Sequence, residues 1–306
     1  MTNLVSIILP TFNTGNYIIN MLDSIKTQEY SPIELVIIDD YSTDDTFNNI
    51  KHWKEINESD KLIIKLIRNE INIGLTASVN RGYEQCNGKY IFLSDHDDIW
   101  CPDKVKKQVL YLESNSERVI CFHDREIIDS DNNTLCKSEY RYMGYKKTYV
   151  SEDDLIKKSF RYSANTLCFK NIKEGQEIFP IPDDIVEHDY YLAISFSLFG
   201  KVGVLNDVLV KYRIHENNLS GNYALETINS FKDYKNIIKK NFERNKVIIK
   251  LDQNIIENHI YEVFNKNINL SIQMNKRNYK KYLSEKIPYL HYLYIKKIVQ
   301  KRFLLS

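Results

Sequence analysis

Four short apolar runs, each separated from the next by a stretch of helical periodicity, fill the first 93 residues and limit the possible architectures more than anything else in the chain. The runs are Leu4 to Leu9, Ile33 to Ile38, Leu62 to Ile67 and Tyr90 to Leu93. They are too short for buried helices and rich in Ile, Val and Leu, as strands covered on both faces are. Helices are predicted from about Asn16 to Gln28, from the Ser42-Thr43-Asp44-Asp45 caps to about Ile56, and from Thr76 to Cys86. This βαβαβαβ order predicts an α/β fold, a doubly wound, Rossmann-like and mostly parallel sheet. Such sheets bind ligands beyond the carboxyl ends of their strands. That rule places Thr11, Asp39, Asp40 and the stretch Asp95 to Asp98 on one rim.

The last of these stretches is the most unusual. Tyr90-Ile91-Phe92-Leu93 is a core strand, yet it ends in Asp95-His96-Asp97-Asp98, three carboxylates within four positions. Carboxylates so close repel one another and are costly to bury, so they require solvent or a cation. Asp95 and Asp97 alternate, so in extended chain they lie on one side and can hold a hard divalent ion such as Mg²⁺ or Mn²⁺. No Gly-x-Gly-x-x-Gly follows the first strand and no Gly-x-x-x-x-Gly-Lys occurs, so neither a dinucleotide fingerprint nor a P-loop is present.

Beyond Pro102 the pattern loosens. A helix is predicted from Pro102 to Ser114, strands at Val119 to His123 and Glu126 to Ile128, and a turn at Ser130 to Asn133. A short helix at Glu152 to Ser159, a strand at Asn165 to Phe169 and a rigid Pro180-Ile181-Pro182 linker follow. An acidic, aromatic segment, Val186 to Ala193, then opens a helix ending near Phe199-Gly200, with strands at Val202 to Leu205 and Val208 to Tyr212 behind it. This half is expected to be partly antiparallel and to cover the crevice.

From about Tyr223 the strand signals stop and long helical patterns carry 17 Lys and Arg against 7 Asp and Glu. Residues 221–306 are therefore expected to form a basic helical extension. Within it, Lys296 to Leu305 mixes basic and apolar residues as a helix lying on an anionic membrane surface does. The alternative is a helical bundle docked on the domain. The whole chain has a net charge of +1, which predicts no nucleic-acid binding. Five cysteines without a Cys-x-x-Cys indicate neither a zinc site nor a disulfide framework and fit a reducing cytoplasm. No signal peptide and no apolar run of about 18 residues is found, so membrane contact is expected to be peripheral, at the inner face.

Taken in order, Val5 to Asn13, Ile38 to Thr46, Asn72-Ile73-Gly74 with Asn80, and Asp95 to Trp100 with Pro102-Asp103-Lys104 resemble the family 2 glycosyltransferases of GT-A fold. His188 to Ala193, continuing to Tyr212 through Asn218, resembles the bacterial rhamnosyltransferase-like subgroup. The resemblance covers residues 3 to 220 and implies a nucleotide-binding half (1–100) and an acceptor-binding half (101–220). It implies an inverting, metal-dependent transfer of sugar from a UDP- or dTDP-sugar donor to a glycan acceptor, often lipid-linked, in bacterial surface polysaccharide synthesis. Thr11, Asp39 and Asp40 would line the nucleotide pocket, with a carboxylate such as Asp40 accepting from N3–H of uracil or thymine. Arg81 would reach the diphosphate or base. Asp97 would ligate Mn²⁺ or Mg²⁺, with Asp95 on the ribose or bridging to the ion through water, and Asp98 on a donor hydroxyl. Asp189 would be the general base, with Glu187 its competitor, and His215 would either bind metal or diphosphate or be a structural histidine. Arg213 would pair with phosphate or with a crevice acid, and Trp100, Tyr190 and Tyr191 have two readings, flat faces for sugars or core packing. Two other functions stay open on the residues alone, a nucleotidyltransferase on a related fold and a catalytically inactive carbohydrate-binding relative.

Overall fold

In the computed structural model, which describes residues 2–215 apart from 152, 153, 156–161, 184, 186 and 187, the four apolar runs become the first half of one ten-stranded sheet. Strands β1 (Val5–Thr11), β2 (Ile33–Asp39), β3 (Leu62–Arg68) and β4 (Tyr90–Leu93) lie in the order β3-β2-β1-β4, all parallel. Helices α1 (Tyr17–Lys26), α2 (Thr46–Asn57) and α3 (Leu75–Glu84) connect them. Alternation along β1 sorts the two faces. Val5, Ile7 and Leu9 pack with Ile18, Met21 and Leu22 of α1, whereas Ile8 packs with Val79 of α3 on the opposite side. The strand order reverses at β1, so the crevice opens where β1 and β4 part.

That parting explains why β1 is longer than its sequence predicts. Pro10 marks a strand end by its missing N–H, but β4 pairs with β1 only as far as Ile8. Beyond that point β1 keeps a single neighbour, β2, and continues through Pro10 to Thr11.

The second half extends the same sheet. Strand β5 (Ile99–Trp100) leads into α4 (Lys104–Glu113), followed by β6 (Arg118–Ile128), β7 (Thr134–Cys136), α5 (Glu139–Met143), β8 (Tyr149–Val150), β9 (Cys168–Lys170), α6 (Lys173–Gln176), α7 (His188–Ser197) and β10 (Lys201–Arg213). The sheet continues β4-β9-β6-β10-β5, with β9 antiparallel to both neighbours and β10 parallel to β6. Helix α7 is buried nearly all round, which suits its mostly apolar sequence.

Three expectations are corrected here. Strand β6 is continuous, although Asp124-Arg125 read as a break. Asp124 accepts hydrogen bonds from the backbone of Arg125 and Tyr140 at 2.8 Å each and from the Ser138 hydroxyl. Arg125, 1% exposed, makes a two-pronged pair with Glu139 at 2.7 and 3.3 Å and lies 4.0 Å from the Tyr212 ring centroid. The strands around Asn206-Asp207 are likewise one, β10, with a register shift between Leu205 and Val208. The rigid Pro180 to Pro182 linker is docked on α3, with Ile181 buried and both its backbone groups bonded to Asn80. Asn165 sits in a 3₁₀ turn, Ala164–Thr166, ahead of β9. The expected Glu152 to Ser159 helix falls mostly, and the extension 221–306 wholly, outside the described residues.

Replacing Arg125 by Met leaves Glu139 charged and buried, which costs about 3–5 kcal/mol. Urea denaturation is expected to show that loss for Arg125→Met and a smaller one for Arg125→Met combined with Glu139→Leu.

Candidate active site

The site forms where β4 ends. Ser94 still donates its N–H to Ile8 at 3.0 Å, and the chain then turns through Asp95 to Asp98 before pairing again as β5 against β10. The end of β10 holds this turn. Arg213, fully buried, donates its backbone N–H to Asp98 Oδ1 at 3.0 Å and Nε–H to the Asp97 carbonyl at 2.9 Å. Its Nη1 reaches the carbonyls of Asp129 and Ser130 at 3.2 Å each. Asp98 Oδ2 accepts from the Asn165 amide. Burial, together with the charges of Asp97 and Asp95, holds the Asp98 carboxyl well above the usual carboxylate range. Asp98 is thus an internal brace, its two carboxylate oxygens taken by Asn165 and Arg213, which departs from the expected contact with a donor hydroxyl.

Asp97 turns the other way. Its Oδ2 lies 2.8 Å from His215 Nε2, bringing together two residues 118 positions apart. Burial pushes the Asp97 carboxyl up, but the His215 hydrogen bond and the nearby charge of His96 bring it below its ordinary value. Asp95 is partly exposed, and its carboxyl is raised to about 7 by desolvation and by the charge of Asp97. Arg125 and Lys104 oppose that rise, and the charge of Asp189 adds to it. Asp189 is the second residue of α7 and partly exposed. Its Oδ1 accepts from the Tyr190 N–H at 2.7 Å. The segment ahead of it is held by α3 through Asn80 and through Thr76, whose hydroxyl donates to the Ile185 carbonyl at 3.3 Å. Glu187 lies outside the described residues.

On the same edge of the sheet, Thr11 and Asp39 end β1 and β2, fully buried. Asp40 does not present its carboxylate to the crevice, as the sequence suggests. Oδ1 accepts from Asn69 Nδ2 at 2.7 Å and Ile73 N–H at 2.8 Å, and Oδ2 from Gly74 N–H at 2.8 Å. Asp40 thus folds the Asn72-Ile73-Gly74 loop, where Gly74 takes a φ of 85° that favours glycine. Arg81 donates to Asn69 Oδ1, so it joins the same network. Asp39 is different. Its Oδ2 pairs with Arg68 Nε at 3.3 Å, whereas Oδ1 is buried with no hydrogen-bond partner among the described residues. A buried acceptor left so costs about 1–3 kcal/mol, which a ligand donor would recover.

Trp100, Tyr190 and Tyr191 are core residues, not sugar platforms. Trp100 is 2% exposed, and the two tyrosine hydroxyls bond to the Leu155 and Ile178 carbonyls at 2.6 and 2.9 Å. The exposed aromatics at the rim are Phe12 and Tyr41, 43% and 47% exposed, which sequence reasoning missed. The available signal was their place in loops directly after strand ends, where a core role is absent. Tyr17, beside His215, was missed as well. Among the described residues no cluster of three or more His, Cys, Asp and Glu forms a metal cage. The two donors that meet, a carboxylate and an imidazole, suit a divalent ion that takes its remaining ligands from phosphate and water.

Compared with known proteins, residues 6–174 match the family model described as glycosyl transferase family 2. The chain belongs to glycosyl transferase family 2. An uncharacterized family relative from Haemophilus influenzae, named as a glycosyltransferase, is 31% identical over 76% of this chain and 72% of its own length. TuaG of Bacillus subtilis, a putative teichuronic acid biosynthesis glycosyltransferase, is 28% identical over 72% of this chain and 84% of its own. Among solved structures, S. aureus TarS 1-349 in complex with UDP superposes with a TM-score of 0.56 at 19% identity, covering 71% of this chain and 61% of that one. The mannosyltransferase PcManGT of Pyrobaculum calidifontis, in complex with GDP-Man and Mn²⁺, gives 0.56 at 18%, covering 72% and 59%. The structural likenesses show the GT-A fold. No described helix is long and apolar enough to cross a membrane.

Behind the acidic turn of this family 2 site lies Lys104, fully buried, with Nζ 2.6 Å from His123 Nε2 and 2.8 Å from the Asn165 carbonyl. Burial lowers its ammonium to about 7, against the partial support of Cys168, Cys121 and Asp98. Between that value and the ordinary lysine range the unfolded chain holds the extra proton, so this residue makes stability rise with pH there. Lys104→Met is expected to reduce that slope by up to about 1.4 kcal/mol per pH unit, as measured by urea midpoints from pH 7 to pH 9.

Proposed function

We propose that this protein is an inverting glycosyltransferase that moves a sugar from a UDP- or dTDP-sugar to a hydroxyl of a glycan acceptor. The observation that carries the reading is the meeting of Asp97 with His215 beside Asp95 at the end of β4, with the charge of Asp189 acting on Asp95. Asp189 accepts the proton of the acceptor hydroxyl, whose oxygen bonds to the donor's anomeric carbon. The bond from that carbon to the diphosphate breaks on the opposite face, and the nucleoside diphosphate leaves with the electron pair. A Mn²⁺ or Mg²⁺ ion held by Asp97 and His215 would supply neutralisation of the charge gathering on that diphosphate. Asp95 would contact the ribose or reach the ion through water.

Asp39 takes over the base-reading role first expected of Asp40. Its unpartnered Oδ1 suits the N3–H of uracil or thymine, a donor that cytosine lacks. Thr11 lines the same pocket, and Arg81 supports it through Asn69. UDP in the TarS structure and Mn²⁺ in PcManGT support nucleotide and metal. TuaG, named for teichuronic acid biosynthesis, supports a polysaccharide acceptor. In this reading the acceptor is lipid-linked and is met at the inner face of the membrane with the help of the basic residues 296–305, which lie outside the described residues.

Asp189→Asn is expected to keep donor binding, seen as a thermal shift with a UDP- or dTDP-sugar and Mn²⁺, while transfer falls by about 10²–10⁴-fold. Unchanged turnover would remove Asp189 from the mechanism. Asp97→Asn is expected to abolish the Mn²⁺-dependent part of the thermal shift.

A further inference from the structure

Tyr17 is the first residue of α1 and only partly buried. Its ring meets the His215 ring at a centroid distance of 4.9 Å and a tilt of 34°. The guanidinium carbon of Arg213 stands 4.7 Å from the same ring centroid. These two partners are the ones that hold Asp97, His215 through the carboxylate at 2.8 Å and Arg213 through the carbonyl at 2.9 Å. One aromatic ring thus backs both grips on a single residue.

The ring is itself firmly placed. Ahead of it, Thr14 N–H bonds to Thr46 Oγ1 at 2.9 Å and Gly15 N–H to Asp44 Oδ2 at 3.3 Å. Behind it, Ile18, Met21 and Leu22 are buried without exposure. A cation shared by Asp97 and His215 replaces their mutual hydrogen bond. The aim of the imidazole then depends more on its other surroundings, the ring packed against it among them, as metal-bound histidines depend on the groups around them. An aromatic face supplies that packing and also attracts the Arg213 cation.

We propose that Tyr17 is a positioning residue for metal binding, one that holds the His215 ring in aim and Arg213 on Asp97 so that a divalent ion keeps an imidazole nitrogen among its ligands. This rests on the assignment of the ion to Asp97 and His215 above. The ring carries the effect, so the hydroxyl is dispensable.

The test uses the full chain with MnCl₂ and UDP, repeated with dTDP, read by pulsed electron paramagnetic resonance for nitrogen-14 modulation of the bound Mn²⁺ and by titration for its affinity. Wild type and Tyr17→Phe are expected to show the modulation, and His215→Ala to lose it. Tyr17→Leu, with Tyr17→Met as a second variant of different shape, is expected to weaken or lose it and to bind Mn²⁺ about three- to tenfold less tightly. Nucleotide affinity without metal is expected to stay unchanged. Full modulation and affinity in the folded Leu or Met variant would overturn the proposal, as would their loss in Tyr17→Phe. Absence of nitrogen modulation in the wild type would instead refute the ion's assignment to His215, and the proposal with it.

Discussion

The hold of Arg213 on the acidic turn is the constraint on which the rest of the site depends. Three carboxylates within four residues repel, and left to themselves would splay into solvent. One buried guanidinium and one backbone N–H fix the turn from the end of β10, through the Asp97 carbonyl and the Asp98 carboxyl. The long strand β10 is what allows this reach, since it runs beside β6 from the far edge of the sheet to the crevice. Sheet register thereby becomes site geometry.

The three acids consequently have three different electrostatic fates. Asp98 is braced internally and held toward its neutral form, Asp97 is drawn toward its charged form by His215, and Asp95 lies between them. Sharing the burden in this way reduces mutual repulsion within the turn. The positive side chains around them, Arg125 and Lys104, are set back in the core and moderate the field without occupying the crevice.

Much of this was legible in the residues. The alternation of apolar runs fixes the parallel half and its crevice, because period and length are local properties. Residue type and resemblance single out Asp97, His215 and Asp189, and the fold brings the first two of them together. Asp98 was misread because nothing in a sequence says which of two adjacent acids turns inward to meet Asn165 and Arg213. Asp39 and Asp40 posed the same problem, with the loop's backbone N–H groups deciding it. Strand β6 appeared broken because Asp124 and Arg125 find buried partners on α5, far along the chain.

Asn80 and Arg81 are consecutive on α3, yet one is tied to the segment leading to Asp189 and the other to the network around Asp40. The helix is therefore a common mount for the Asn72-Ile73-Gly74 loop and the segment that leads into α7. With Thr76 gripping Ile185 one turn earlier, a single helix face pins the chain at two points just ahead of α7. A substitution at either polar side chain would therefore be felt first in the seating of that segment, not in the sheet.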